Sequence, residues 1–254
     1  LTGPPVCGSL GGMRGGVRVA AVGDLHIRAA VCGRFRPAFL ELDADLLLLA
    51  GDLTEGGTLR EADMLCAELA GVPVPMVGVL GNHDHDHRQG FRIAAMLADA
   101  GVRMLDGTTT VLDVGGVRVG IAGVMGGSGG FPGHPGDPDS GSPEHRERYR
   151  RGPADALRLR AALDTLDTDL RIALMHFAPI LGTLAGEPPR IFPGLGCAEL
   201  GAAADAGRAD LVVHGHAHAG TEYGTTPGGT PVRNVAYPVL GAPCRSYRLR
   251  PRDR

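Results

Sequence analysis

Val74-Pro75-Met76-Val77-Gly78-Val79-Leu80-Gly81-Asn82-His83-Asp84 places a mostly apolar run directly before a polar tetrapeptide that starts with glycine. A short Val-rich run bounded by Gly reads as a buried strand, although Pro75 makes its start irregular. The polar residues then sit at the strand's C-terminal end, where open α/β sheets present their chemistry. Outward from this stretch the same pattern recurs. Val17–Val22 (VRVAAV) runs into Gly23-Asp24-Leu25-His26, and 45–50 (DLLLLA) runs into Gly51-Asp52. Downstream, 170–175 (LRIALM) delivers His176, and 210–213 (DLVV) leads through His214 to Gly215-His216-Ala217-His218. Five His- and Asp-bearing signatures thus follow five apolar runs in one order.

Segments 31–42 and 60–70, between the first three runs, carry helical spacing. Strand alternating with helix means βαβ units and a largely parallel sheet. A third helix is predicted over 91–100. Segments 111–114 and 117–122 flank Gly115-Gly116, a hairpin signal. Helices are predicted over 154–166 and around 197–206, and a late edge strand over 231–235. The Gly- and Pro-rich stretches 126–152 and 179–196 are expected to be loops near the site. The first half is βαβ-like and the second hairpin-like, which predicts an α/β fold with two facing sheets in a single domain over 17–254. Residues 1–16, Gly-rich and without an apolar signal core, are expected to be a disordered leader, with Met13 a candidate natural start.

Bulk properties narrow the class. At 254 residues with 43% hydrophobic content, the chain can bury a substantial core. It has no Trp and its 25 basic residues are all Arg, which together with abundant Ala, Gly and Pro suggests a GC-rich, bacterial coding sequence. The net charge of −3 offers no global basic field for nucleic acid, and the few aromatics argue against stacking on bases. The five cysteines, Cys7, Cys32, Cys66, Cys197 and Cys244, form no CxxC pair, which favours a reducing, cytoplasmic location. No apolar stretch approaches the length of a membrane span.

The ordered set Asp24-x-His26, Gly51-Asp52, Gly81-Asn82-His83-Asp84, His176 and Gly215-His216-x-His218 resembles the calcineurin-like metallophosphoesterase family. The match spans about residues 17 to 235, and the Gly-Asn-His-Asp tetrapeptide is its most specific part. The resemblance implies a four-layer α/β/β/α sandwich, two mixed sheets flanked by helices, with a dinuclear metal centre at the sheet edges. It implies one metal held by Asp24, His26, Asp52 and His218, and a second by Asp52, Asn82, His176 and His216, with Asp52 bridging. A carboxylate can serve two cations about 3.5–4 Å apart, one with each oxygen. Such mixed nitrogen and oxygen donors suit Mn, Fe or Zn better than Ca or Mg.

The resemblance implies a metal-dependent phosphohydrolase in which a hydroxide bridging the two ions attacks phosphorus in line. His83 would protonate the leaving oxygen, and Asp84 would orient His83 through its other ring nitrogen. A phosphodiesterase acting on a small phosphate ester is the preferred reading, with a phosphomonoesterase or a non-catalytic binding scaffold of the same fold as alternatives. A homodimer is compatible with the chain. His85 and His87 are read as a solvated helix start, and His214 as facing away from the ligand set. Arg28, Arg190 and the arginines of 146–151 are read as surface residues.

Overall fold

A computed structural model describes residues 16–251. The expected leader, 1–16, lies outside the described residues except for Gly16. In chain order the N-terminal elements are β1 (Val17–Val22), α1 (Arg36–Leu40), β2 (Leu46–Ala50), α2 (Leu59–Leu69), β3 (Met76–Val79), α3 (Gly90–Asp99), β4 (Val102–Met104), β5 (Thr108–Val114) and β6 (Val117–Gly123). They are followed by β7 (Gly130–Phe131), β8 (His134–Pro135), α4 (Pro143–Asp164), β9 (Leu170–Leu174), α5 (Phe192–Leu195) and α6 (Ala198–Ala206). The last elements are β10 (Leu211–His214), β11 (Tyr223–Thr225), β12 (Pro231–Asn234), α7 (Tyr237–Leu240) and β13 (Arg245–Leu249).

Two mixed sheets form. One has the order β13-β1-β2-β3-β4, parallel except for β13; the other has the order β11-β12-β10-β9-β6-β5. Within the second, β6, β9, β10 and β12 run parallel, and β5 and β11 are antiparallel edges. Alternation decides the layering. Val119 and Ile121, Leu170, Ile172 and Leu174, and Leu211 and Val213 pack with the first sheet. Their neighbours Ala122, Ala173 and Val212 pack instead with Leu159 and Leu163 of α4 and Leu200 of α6. On the other side, Leu65 and Leu69 of α2 and Ile93 and Leu97 of α3 cover the first sheet. The result is the α/β/β/α sandwich. β2, Leu-Leu-Leu-Leu-Ala, is buried throughout, as a central parallel strand must be.

Several boundaries differ from the sequence reading. The helix expected over 31–42 shrinks to α1. Its N-terminal part is a turn held by the buried Glu68 carboxylate, which accepts the amides of Gly33, Phe35 and Arg36. The expected loop 126–152 ends at Ser142, whose side chain caps α4, and Pro143 occupies the first turn, where its missing N–H does no harm. Pro153 therefore lies inside α4 rather than at its start. The strand over 231–235 is internal, because β11 takes the edge. β4, β11 and β13 have no counterpart in the sequence reading. The Gly115-Gly116 hairpin forms with both glycines at positive φ, 56° and 81°, as a tight two-residue turn requires.

Candidate metal centre

The C-terminal ends of β1, β2, β3, β9 and β10 meet at one edge of the sandwich. The amide of Gly23 donates to the Val235 carbonyl (2.9 Å), and the amide of Tyr237 donates to the Gly23 carbonyl (2.9 Å), so the two sheets are stitched together there. Immediately beyond the strands the backbone turns through the left-handed region. Asp24, His26, Asp52 and His216 have φ of 55°, 44°, 48° and 68°. Six non-glycine residues among those described do this, and four of them are in the sequence-predicted ligand set. Left-handed φ at such residues costs about 1–3 kcal/mol each and persists where the surroundings enforce it, typically at functional sites.

The side chains gather in two groups. Asp24, His26 and His218 form one, and Asp52, His176 and His216 the other; within each, one potential ligand atom per residue lies within 4.8 Å of the others. Asp24 accepts the His216 amide with both oxygens (3.1 and 2.9 Å) and lies 2.8 Å from His218 Nε2. His176 Nδ1 donates to the Ala50 carbonyl (2.9 Å), which turns Nε2 towards Asp52 Oδ2 (3.3 Å) and Asn82 Oδ1 (3.2 Å). Asp52 Oδ1 is committed to the His83 amide (2.9 Å). Oδ2 faces a residue of each group, 3.3 Å from His176 Nε2 and 3.8 Å from His26 Nε2.

Glycines make room for this. A methyl group at Gly81 would strike the Asp52 carboxylate, one at Gly215 would strike the Asp24 carboxylate, and one at Gly51 would lie 2.7 Å from the His176 ring. Gly51 also needs its φ of 81°, but Gly81 is required for close approach rather than for a turn.

The pairing of Asp84 with His83 does not form. Asp84 points into the protein and accepts the amides of Leu53 (3.2 Å), Thr54 (2.8 Å) and Gly81 (2.8 Å) and the Thr54 hydroxyl (2.6 Å). It fixes the two loops that carry Asp52 and Asn82, at full burial. His83 Nδ1 lies instead 3.1 Å from the Glu55 carbonyl and 3.0 Å from Asp86 Oδ2. Both partners only accept, so Nδ1 carries a proton and Nε2 is the atom turned to the centre, 4.0 Å from Asp52 Oδ2. The His83 side chain is 42% exposed, within reach of an incoming molecule.

The carboxylates and rings of the centre perturb one another. Burial pushes the Asp52 carboxyl up, but the His176 ring beside it, with His216 and the His83 amide, holds it well below the usual carboxylate range. Burial lowers His26 and His216, so both rings are neutral donors. Burial and the Asp52 charge push Asp84 up to about 6, against the hydrogen bonds that favour its anion. His26 Nε2 is buried and has no hydrogen-bond partner among the described residues, although it faces Asp52. A buried unpaired nitrogen is unfavourable unless something binds it. Two carboxylates, four imidazoles and an amide oxygen, with one such orphaned nitrogen, fit a pair of metal ions of borderline hardness.

The sequence profile of the calcineurin-like phosphoesterases matches residues 17–220. The chain belongs to that family. As a calcineurin-like phosphoesterase it is a hydrolase of phosphate esters. A search of the curated proteins found no match. Among solved structures, the phosphopantetheinyl hydrolase PptH from Mycobacterium tuberculosis superposes with a TM-score of 0.65 at 17% identity, covering 92% of this chain and 97% of that one. The protein TT1561 of Thermus thermophilus gives 0.60 at 18% identity, covering 92% and 100%. At such identities the likeness concerns the fold.

Around the phosphoesterase centre, the other candidates sort out by contact. His214 lies behind the site, fully buried, with Nδ1 at the Gly215 carbonyl (2.7 Å) and Nε2 at the Thr183 hydroxyl (2.9 Å). His87 bonds the Gly56 carbonyl. Arg28 pairs with Glu55, whose carboxylate also lies 3.5 Å from His26 Nδ1. Arg190 is exposed on a separate turn. Sequence reasoning missed Glu55, Asp86, Thr54 and the Ala50 carbonyl. For Asp86 a signal existed, since residues i and i+3 eclipse on a 3₁₀ turn such as His83–His85.

Proposed function

We propose that this phosphoesterase is a phosphodiesterase working with two transition-metal ions, Mn, Fe or Zn. Asp24, His26, Asp52 and His218 would hold one ion, and Asp52, Asn82, His176 and His216 the other. The observation that carries the reading is the position of Asp52 Oδ2 between the two side-chain groups. Bound there, two ions would clamp the phosphoryl oxygens and make a water nucleophilic at neutral pH. The chain's own residues then divide the work. Asp24, His176 and Asp52 are locked by backbone hydrogen bonds, so the donors need no reorganisation. His83 presents Nε2 from the open side, with its Nδ1 proton held by Glu55 and Asp86, and in its doubly protonated form hands the Nε2 proton to the departing oxygen. Asp84 acts through the loops it ties together and is a positioning residue. A cleft of about 760 Å³ opens beside Asn82 and gives room for a second ester substituent, which supports a diester. The cysteine pattern supports a reducing, cytoplasmic setting.

The test is hydrolysis of bis-p-nitrophenyl phosphate and p-nitrophenyl phosphate, first with chelator and then with added Mn. Metal-restored cleavage of the diester in preference to the monoester is the expected result. Cleavage of the monoester alone would replace this reading with a phosphomonoesterase.

A further inference from the structure

The first half of α4 is basic, and its arginines, Arg148 and Arg150 exposed among them, line a cleft that also touches Asn82 of the candidate metal centre. The loop after β6 positions this helix. The Met125 carbonyl accepts the amides of both His176 (3.0 Å) and Phe177 (3.1 Å). The next residue, Gly126, donates its amide to Asp155 of α4 (3.0 Å). A methyl group on Gly127 would lie 2.8 Å from the Arg148 carbonyl and 2.6 Å from the Gly152 nitrogen, so the loop backbone lies directly on the helix. One short segment thus fixes both the His176 strand end and the helix that carries the arginines.

The cleft beside Asn82 has this helix as its wall. It also touches Phe177, whose ring centroid is 4.2 Å from that of His216. Five arginines line it: Arg88, Arg146, Arg148, Arg150 and Arg151. Two are engaged. Arg151 pairs with Asp155 and lies near Asp106, and Arg146 bonds the Gly141 carbonyl. The side chains of Arg88, Arg148 and Arg150 make no ion pair or hydrogen bond among the described residues, although Asp86, Glu144 and Glu147 share the cleft. Arg88 is held at a φ of 54°, which makes it, with the four residues at the centre, one of the few non-glycine residues in the left-handed region.

We propose that this cleft is an anion subsite in which Arg148 and Arg88 hold a second phosphate group of the ester being cleaved. The assignment rests on the phosphodiesterase reading and narrows its substrate class to esters that carry a further phosphate. Guanidinium groups suit this because their planar fork matches phosphate oxygens. Free guanidinium groups at the mouth of a cleft also steer an anion towards the centre.

The test compares thymidine 5′-(p-nitrophenyl phosphate) with its 3′-phosphorylated form on the Mn-loaded protein. The expected wild-type preference, in kcat/KM, is at least about tenfold for the 3′-phosphorylated substrate, the scale of one charge-assisted hydrogen bond. In Arg148→Gln and in Arg88→Gln the ratio should fall to within about twofold of one. A ratio of two rates on one preparation is insensitive to a partly unfolded fraction. Equal cleavage by the wild type, or a preference that survives both substitutions, would overturn the subsite. If neither substrate is cleaved, it is the phosphodiesterase reading that fails, and calorimetry with tripolyphosphate in chelator then decides the subsite. Binding weakened at least about tenfold in Arg148→Gln supports it, and no binding by the wild type removes it.

Discussion

At the scale of single residues, Asp52 and His83 make separable claims. Asp52 belongs to one side-chain group and faces His26 of the other; as the proposed shared ligand its loss in Asp52→Ala should lower bound metal below two ions per chain. It should also reduce bis-p-nitrophenyl phosphate turnover on the order of 10²–10³-fold or more. Metal analysis beside the rate assay checks this, and full metal content in the variant would sink the shared-ligand geometry. His83→Ala should keep its metal and lose about 10²–10⁴-fold on substrates with poor leaving groups. The loss should shrink for p-nitrophenyl esters, whose leaving oxygen needs no proton. A uniform loss across leaving groups would remove the acid role. The Asp and His letters were legible because each follows an apolar run. Their partners were not, since Glu55, Thr54 and Ala50 come from other segments. Asp84 shows the limit most clearly: adjacency to His83 gave nearness but not direction, and its side chain turns the other way.

At the scale of elements, the N-terminal βαβ units and the Gly-Gly hairpin were readable from periodicity and turn chemistry. The start of α4 was not, because Pro153 resembles a first-turn proline, whereas the helix begins at Pro143 behind the Ser142 cap. An interior Pro normally costs about 3 kcal/mol; here the neighbouring Gly152 is covered by the backbone at Ser128, so the region is held from outside. β13, Arg-Ser-Tyr-Arg-Leu, has too few apolar residues to announce an edge strand. The junction of α4 with the loop after β6 depends on Asp155, which is buried, accepts the Gly126 amide and pairs with Arg151 and Arg158. Asp155→Ala should destabilise the protein by about 1–3 kcal/mol through the amide and guanidinium groups left unpaired. Asp155→Asn, which keeps one acceptor, should lose less. Denaturant midpoints for the two variants measure the difference, and equal midpoints would show that the junction does not depend on this carboxylate.

At the scale of the whole molecule, the two-sheet sandwich followed from the change of pattern between the halves, and the structure adds what lies under the seam. His214 there is held by burial down to about 3, from an ordinary value of 6.5. The unfolded chain takes up a proton at this ring as pH falls below 6.5 and the folded chain does not. Its contribution is therefore complete above pH 6.5 and is lost on acidification, by about 1.4 kcal/mol per pH unit, until pH approaches 3. Replacing it by Gln should flatten the fall in stability between pH 6.5 and 5, measured in chelator. An unchanged slope would assign the acid sensitivity elsewhere.

Each side-chain group draws from both sheets: Asp24 and His26 face His218, and Asp52 faces His176 and His216. Neither group exists in a chain whose sheets have folded but not yet docked. On the proposed reading, metal capture would be a terminal event of folding, and the ions would act as a latch on the finished sandwich rather than as a template for it. Interactions absent from the transition state slow unfolding and leave the folding rate alone. Stopped-flow traces with and without Mn should show one arm of the chevron moving, the unfolding arm, and a folding rate that rose with metal would mean that the two sheets meet at this edge first.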